Sequence, residues 1–108
     1  MQFLDTPSAP TPPFEISNVT ESSATLRWNR PESDGGSPIT GYIIERKEAN
    51  KKAWQKIAQT EASVYECEVT GMKKGVSYYF RVMAINEVGQ GPPLQLDEPL
   101  TAGKKISE

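Results

Sequence analysis

Histidine is absent from this 108-residue chain, and with it goes the imidazole of most catalytic and metal-binding arrangements. No Ser-His-Asp or Cys-His pair can form, and no histidine can ligate zinc. Cysteine occurs once, at Cys67, so an internal disulfide is excluded. Small secreted domains often carry one, and its absence leans toward a reducing compartment. No apolar run approaches the roughly 20 residues that span a bilayer. The first thirteen residues have neither the basic nor the apolar segment of a secretory signal. An excess of one charge is missing too. Twelve Lys+Arg against 14 Asp+Glu leave −2, too little for a basic field toward nucleic acid or an anionic membrane. Gly35-Gly36 has neither the spacing nor the lysine of a phosphate loop. The carboxylates stand singly, with no pair placed in an apolar stretch. These absences predict a protein that is not an enzyme and holds no cofactor or metal.

What remains is one domain's worth of chain. Hydrophobic residues make up 36%, enough for a thin core, and a chain this long buries ~60–65% of its unfolded surface. Pro7, Pro10, Pro12 and Pro13 crowd the start. Each fixes φ and lacks an N–H, so residues 1–12 read as an extended, semi-rigid lead-in. Residues 13–102 read as the folded domain and the polar stretch 103–108 as an exit linker.

Inside that body the hydrophobic period is two, with no helical stripe. Ala24, Leu26 and Trp28 alternate with polar neighbours. Tyr42 and Ile44 share a phase within Ile39 to Lys47, and Tyr65, Cys67 and Val69 share another. Tyr78, Phe80, Val82 and Ala84 face one way; Tyr79, Arg81 and Met83 face the other. Ile16 and Val19 mark a first strand, Trp54 to Ile57 a short middle one, and Leu96 and Leu100 the last, with Pro99 inside it. Turn signals divide these runs, among them Ser33 to Gly36, Gly71 to Gly75 and Gly89 to Pro93. About seven short strands at this turn frequency predict an all-β, immunoglobulin-like antiparallel sandwich.

These residues resemble the fibronectin type III domains. The resemblance rests on Trp28, on Ile39-Thr40-Gly41-Tyr42-Ile43-Ile44-Glu45, and on the run Tyr78 to Asn86. It implies that Tyr78 is the family's corner tyrosine, with its ring in the core and its hydroxyl bonded to backbone upstream. Met72 stands where the family usually has leucine, and can fill the same slot. Three further phrases are similar to domains of titin, twitchin and myosin-binding protein C: Asp34-Gly35-Gly36-Ser37-Pro38, Glu45-Arg46-Lys47, and Asn86-Glu87-Val88-Gly89-Gln90-Gly91. The resemblance implies a structural and interaction module, a mechanical spacer in a cytoplasmic, sarcomeric filament protein. Its partners would be adjacent immunoglobulin-like or fibronectin type III domains, with myosin or other thick-filament proteins beyond them. The isolated domain would be monomeric. The alternative is an extracellular module of a cell-adhesion molecule or receptor. Asn18-Val19-Thr20, an N-glycosylation pattern, bears on that alternative.

Trp28, Tyr42, Tyr78 and Phe80 are the predicted structural core, and Cys67 an inert buried thiol. Trp54 either packs under the third strand or lies half exposed on a contact surface. Arg46, Lys47, Lys51, Lys52 and Lys56 cluster around one hairpin. They form either a contact surface for an acidic partner or a solvated face balanced by Glu45 and Glu48.

Overall fold

Alternating side chains build two antiparallel sheets in the computed structural model, which describes residues 4–103. In chain order the strands are β1 (Thr11–Ser17), β2 (Ala24–Asn29), β3 (Gly41–Glu48), β4 (Gln55–Glu61), β5 (Glu66–Val69), β6 (Ser77–Ile85), β7 (Gln90–Gln95) and β8 (Leu100–Thr101). One sheet has the order β1-β2-β5; the other runs β4-β3-β6-β7, with β8 also pairing β6. No helix occurs among the described residues. The all-β immunoglobulin-like sandwich is the architecture the sequence predicts. Its last strand needs one correction: of the expected Leu96 to Leu100 strand only Leu100 is in a strand, β8, while Leu96 falls outside both β8 and the earlier β7. Pro99, with no N–H for a ladder, falls in the break between them. The run Gly89 to Pro93, expected as a turn, mostly belongs to β7. Pro92 and Pro93 are tolerated there because β7 is an edge strand.

Between the sheets lie Leu26 and Trp28 from β2, Tyr42 and Ile44 from β3, and Tyr78, Phe80, Val82 and Ala84 from β6. Trp28 is 3% exposed and Phe80 fully covered. Burying each large apolar side chain is worth about 1.5–3 kcal/mol. Met72, Val69 and Leu100 close the same core. Two expected phases are corrected. Tyr65 is 37% exposed and Cys67 only half-buried. β5 is a four-residue edge strand, and only Val69 along it is covered. Met83, expected outward, is buried because Ile43 and Pro93 flank it across the neighbouring strands.

Three of the pairings slip register, the one between β6 and β7 doing so between Met83 and Ile85. Between β1 and β2 the shift lies between Thr11 and Glu15, and between β3 and β4 it lies at Ile44/Glu45. In the β3–β4 case Ile57 is the extra residue, since Ile44 opposes Ala58 while Glu45 opposes Lys56.

Register also fixes two poles. Asn29, Gly41, Ile85 and Glu61 gather at the end where the chain arrives, the leading pole; Ala24, Val69, Ser77 and Glu48 gather at the trailing pole. The Asp5 N–H donates to Gly35 in the leading pole (2.9 Å), and the Gly103 N–H donates to Thr20 in the trailing one (3.0 Å). Of the expected exit linker, 103–108, all but Gly103 lies outside the described residues.

Candidate functional site

The leading pole is built around a buried amide. Asn86 follows β6 and is 6% exposed. Its Nδ2 donates to the carbonyls of Asp5 (2.7 Å) and Asp34 (2.8 Å). Its Oδ1 accepts the N–H groups of Val88 (2.9 Å) and Gly89 (3.2 Å). The amide thus uses both donors and both lone pairs, tying the lead-in to the loops after β2 and β6. Gly35, at φ +78°, and Gly91 complete the clamp: a β-carbon on either would overlap the lead-in backbone, at Asp5 and Pro7 respectively. The sequence pattern predicts a folded body from Pro13. Here the first strand begins at Thr11, and Pro7 and Pro10 are already among the fully buried side chains. Prolines dock with little ordering cost because their φ is preset.

Beside the clamp lies a cleft of about 590 Å³ lined by Arg30, Asp34, Ile39, Tyr42 and Tyr65. Tyr65 meets Tyr42 edge-on with centroids 5.7 Å apart. Burial, helped by Tyr65 and opposed by Arg30, pushes the Tyr42 phenol up to about 12. Burial, with Glu68 nearby, also raises the Cys67 thiol above its ordinary value, which keeps it protonated and slow to react.

The predicted basic cluster is divided by the two-residue period. Arg46 points inward: Nη1 donates to Thr70 (2.9 Å), Nη2 to Gly71 (3.4 Å), and the guanidinium lies 5.1 Å from the Tyr78 ring centroid. Lys47 points outward, its Nζ 4.8 Å from the Tyr79 centroid and 5.7 Å from that of Trp54. Lys51 pairs with Glu48 at 3.6 Å, Lys56 donates to Gln59 at 2.7 Å, and Lys52 is exposed.

Trp54 is half-buried and lies on the outer face of the larger sheet. The Arg81 guanidinium sits 4.2 Å from its ring centroid. Arg81 in turn donates Nε (2.8 Å) and Nη2 (2.6 Å) to Glu45 Oε1. Glu45 and Arg81 are cross-strand partners, as are Lys47 and Tyr79, so one register places both pairs on this face. Each cation–π contact contributes about 0.5–2 kcal/mol, depending on how dry it is.

At the trailing pole the two halves of the cluster reconverge. A cleft of about 360 Å³ is lined by Arg46, Lys47, Lys51, Trp54, Tyr78 and, from the loop after β5, Lys73. Lys52 and Lys56 do not line it. Lys73 was missed by sequence reasoning because it is remote in the chain; the Gly71–Gly75 turn brings it back. The same loop supports Tyr78, whose hydroxyl accepts the Lys73 N–H at 2.8 Å. The backbone partner of that hydroxyl is a donor. Among the described residues no three of His, Cys, Asp and Glu gather to hold a metal ion.

The sheet order, the paired core and the corner hydroxyl define a β-sandwich module of the immunoglobulin-like class. More narrowly, the family model for the fibronectin type III domain matches residues 8–96, and the chain belongs to that family. It is 39% identical over 89 residues to the titin homolog of Caenorhabditis elegans, covering 82% of this chain and, to the nearest per cent, 0% of that protein. It is 38% identical over 99 residues to the cardiac-type myosin-binding protein C of Mus musculus, covering 92% of this chain and 8% of that protein. A crystal structure of consecutive titin domains superimposes with a TM-score of 0.84 at 33% identity, covering 93% of this chain and 33% of that one. The kinase region of C. elegans twitchin gives 0.83 at 30% identity, covering 96% of this chain and 18% of that one. The chain thus spans a small part of each relative.

Proposed function

We propose that this domain is a structural and interaction module, a spacer that transmits load within a multidomain muscle filament protein. The observation that carries the reading is the separation of arrival and departure. The lead-in is clamped at one pole by Asn86, and the chain leaves at the other beside Thr20. A domain threaded this way loads its first and last strands along their length, so that ladder hydrogen bonds are strained together in shear. Similarity to a titin homolog and to a myosin-binding protein C supports a cytoplasmic, sarcomeric setting. It also supports neighbours of the immunoglobulin-like or fibronectin type III kind, with myosin or another thick-filament protein as partner. The chemistry of the molecule is that of packing and contact, and no catalytic step is assigned to it.

Single-molecule extension tests the load-bearing part. Pulled through its two termini, the domain is expected to yield in one abrupt event, at higher force than when pulled through residues at the two ends of β4. Equal resistance in both directions would remove the mechanical role.

A further inference from the structure

We infer that the trailing-pole cleft is a socket for carboxylates on the leading pole of a second copy of this chain, set end to end. The inference goes beyond the spacer reading, since a domain that bears no load would dock in the same way.

Four cations line the cleft, Arg46, Lys47, Lys51 and Lys73, against one carboxylate, Glu48. Glu48 is matched to Lys51. Arg46, Lys47 and Lys73 make no salt bridge among the described residues. The carbonyls of Thr70 and Gly71 orient Arg46 without neutralising it, and the Lys51 carbonyl does the same for Lys47 at 3.1 Å. Two of the cations are therefore positioned in advance, which lowers the ordering cost of receiving an anion. Trp54 and Tyr78 form aromatic walls, and apolar walls strengthen charge pairing by displacing water.

The complementary surface is on the same molecule, at the opposite end. Asp5, Glu32, Asp34, Glu61 and Glu87 are all exposed there, and none forms a salt bridge among the described residues. Arg30 is the basic side chain among them. Opposite charges at opposite poles favour a head-to-tail contact, which is heterologous and leaves one free cleft and one free acidic pole on each pair. Gly103 hydrogen-bonds Thr20 and lies against Lys74 at this same pole.

The test uses the full chain in trans, followed by NMR at low and high salt. At ~0.02 M salt and millimolar protein, shifts that depend on concentration are expected at Trp54 and at Glu32 to Asp34; they should vanish at ~0.5 M salt. Lys47→Glu with Lys73→Glu, and separately Glu32→Lys with Asp34→Lys, should each weaken association by about tenfold or more. Mixing the two double variants should restore it. If the reversed lysines impair folding, Lys47→Gln with Lys73→Gln carries the same test without the added charge. A parent that stays monomeric at low salt, or a mixture that fails to recover, overturns the inference. So does inorganic phosphate that abolishes association where chloride of equal ionic strength does not, because the cleft would then be a phosphate site.

Discussion

The carbonyl oxygen of Pro7 occupies the space that a β-carbon on Gly91 would need. That single approach joins the lead-in to β7 and makes the arriving segment part of the domain. Gly91→Ala should push the lead-in off its seat and cost about 1–3 kcal/mol, the usual range for overpacking. Urea denaturation measures the cost, and amide exchange at Asp5 reports the release. A variant with parental stability and a protected Asp5 amide would show that the clamp is not fastened at Gly91.

Trp28 carries an internal conflict that two substitutions can separate. It is buried, yet its Nε1 has no hydrogen-bond partner among the described groups. Trp28→Ala should cost about 3–5 kcal/mol through the void it leaves. Trp28→Phe deletes the orphaned donor along with some volume, and should recover more than half of that loss. Chemical denaturation of both variants decides the matter. A phenylalanine as costly as alanine would mean the indole N–H is paired after all.

Tyr78→Phe should lose about 1–3 kcal/mol, because the Lys73 N–H then faces the protein without its acceptor. Hydrogen exchange at the Lys73 amide should accelerate in the same variant. Unchanged stability together with unchanged exchange would remove the corner role from this tyrosine.

Stability should also fall in alkali, with a sign set by Tyr42. Burial pushes its phenol from the ordinary 10.0 of the unfolded chain up to about 12 in the folded one. The folded state therefore keeps the proton longer. The stabilising contribution is complete below the unfolded value and is lost as pH rises from about 10 toward about 12. At about 1.4 kcal/mol per unit, the difference of two units corresponds to about 3 kcal/mol once the loss is complete. Thermal denaturation across this range should show the decline in the parent and a flatter profile in Tyr42→Phe.

Most of the core was legible because the period-two rule needs only neighbours along one strand. Leu26 with Trp28, and Tyr78 with Phe80, announce their face without help from any other segment. Tyr65 shows the limit of that rule. Its phase is inward, but phase says nothing of how far a four-residue edge strand lies from the covering sheet. Met83 shows the converse, an outward residue buried by Ile43 and Pro93 from strands that only the pairing identifies. The candidate surfaces were harder still. Arg46 and Lys47 are consecutive yet face opposite ways, and Lys73 joins them only through a turn. Asn86, Gly35 and Gly91 were visible as family-like phrases. Their purpose depends on where the lead-in lies, which no local pattern records.

Each outer strand of the two sheets is spoiled for further pairing. β1 carries Pro12 and Pro13 beside a register slip, and β7 carries Pro92 and Pro93. β4 is kinked at Ile57 and bears Lys56, and β5 is four residues long with Glu66 and Glu68. Unmodified borders would offer ready templates for neighbouring chains to zip onto. A protein that strings many such sandwiches together holds them at permanently high local crowding, where partly opened neighbours could cross-pair. Interrupted margins would let such a string open and refold its units separately, each recovering its own partners instead of those next door.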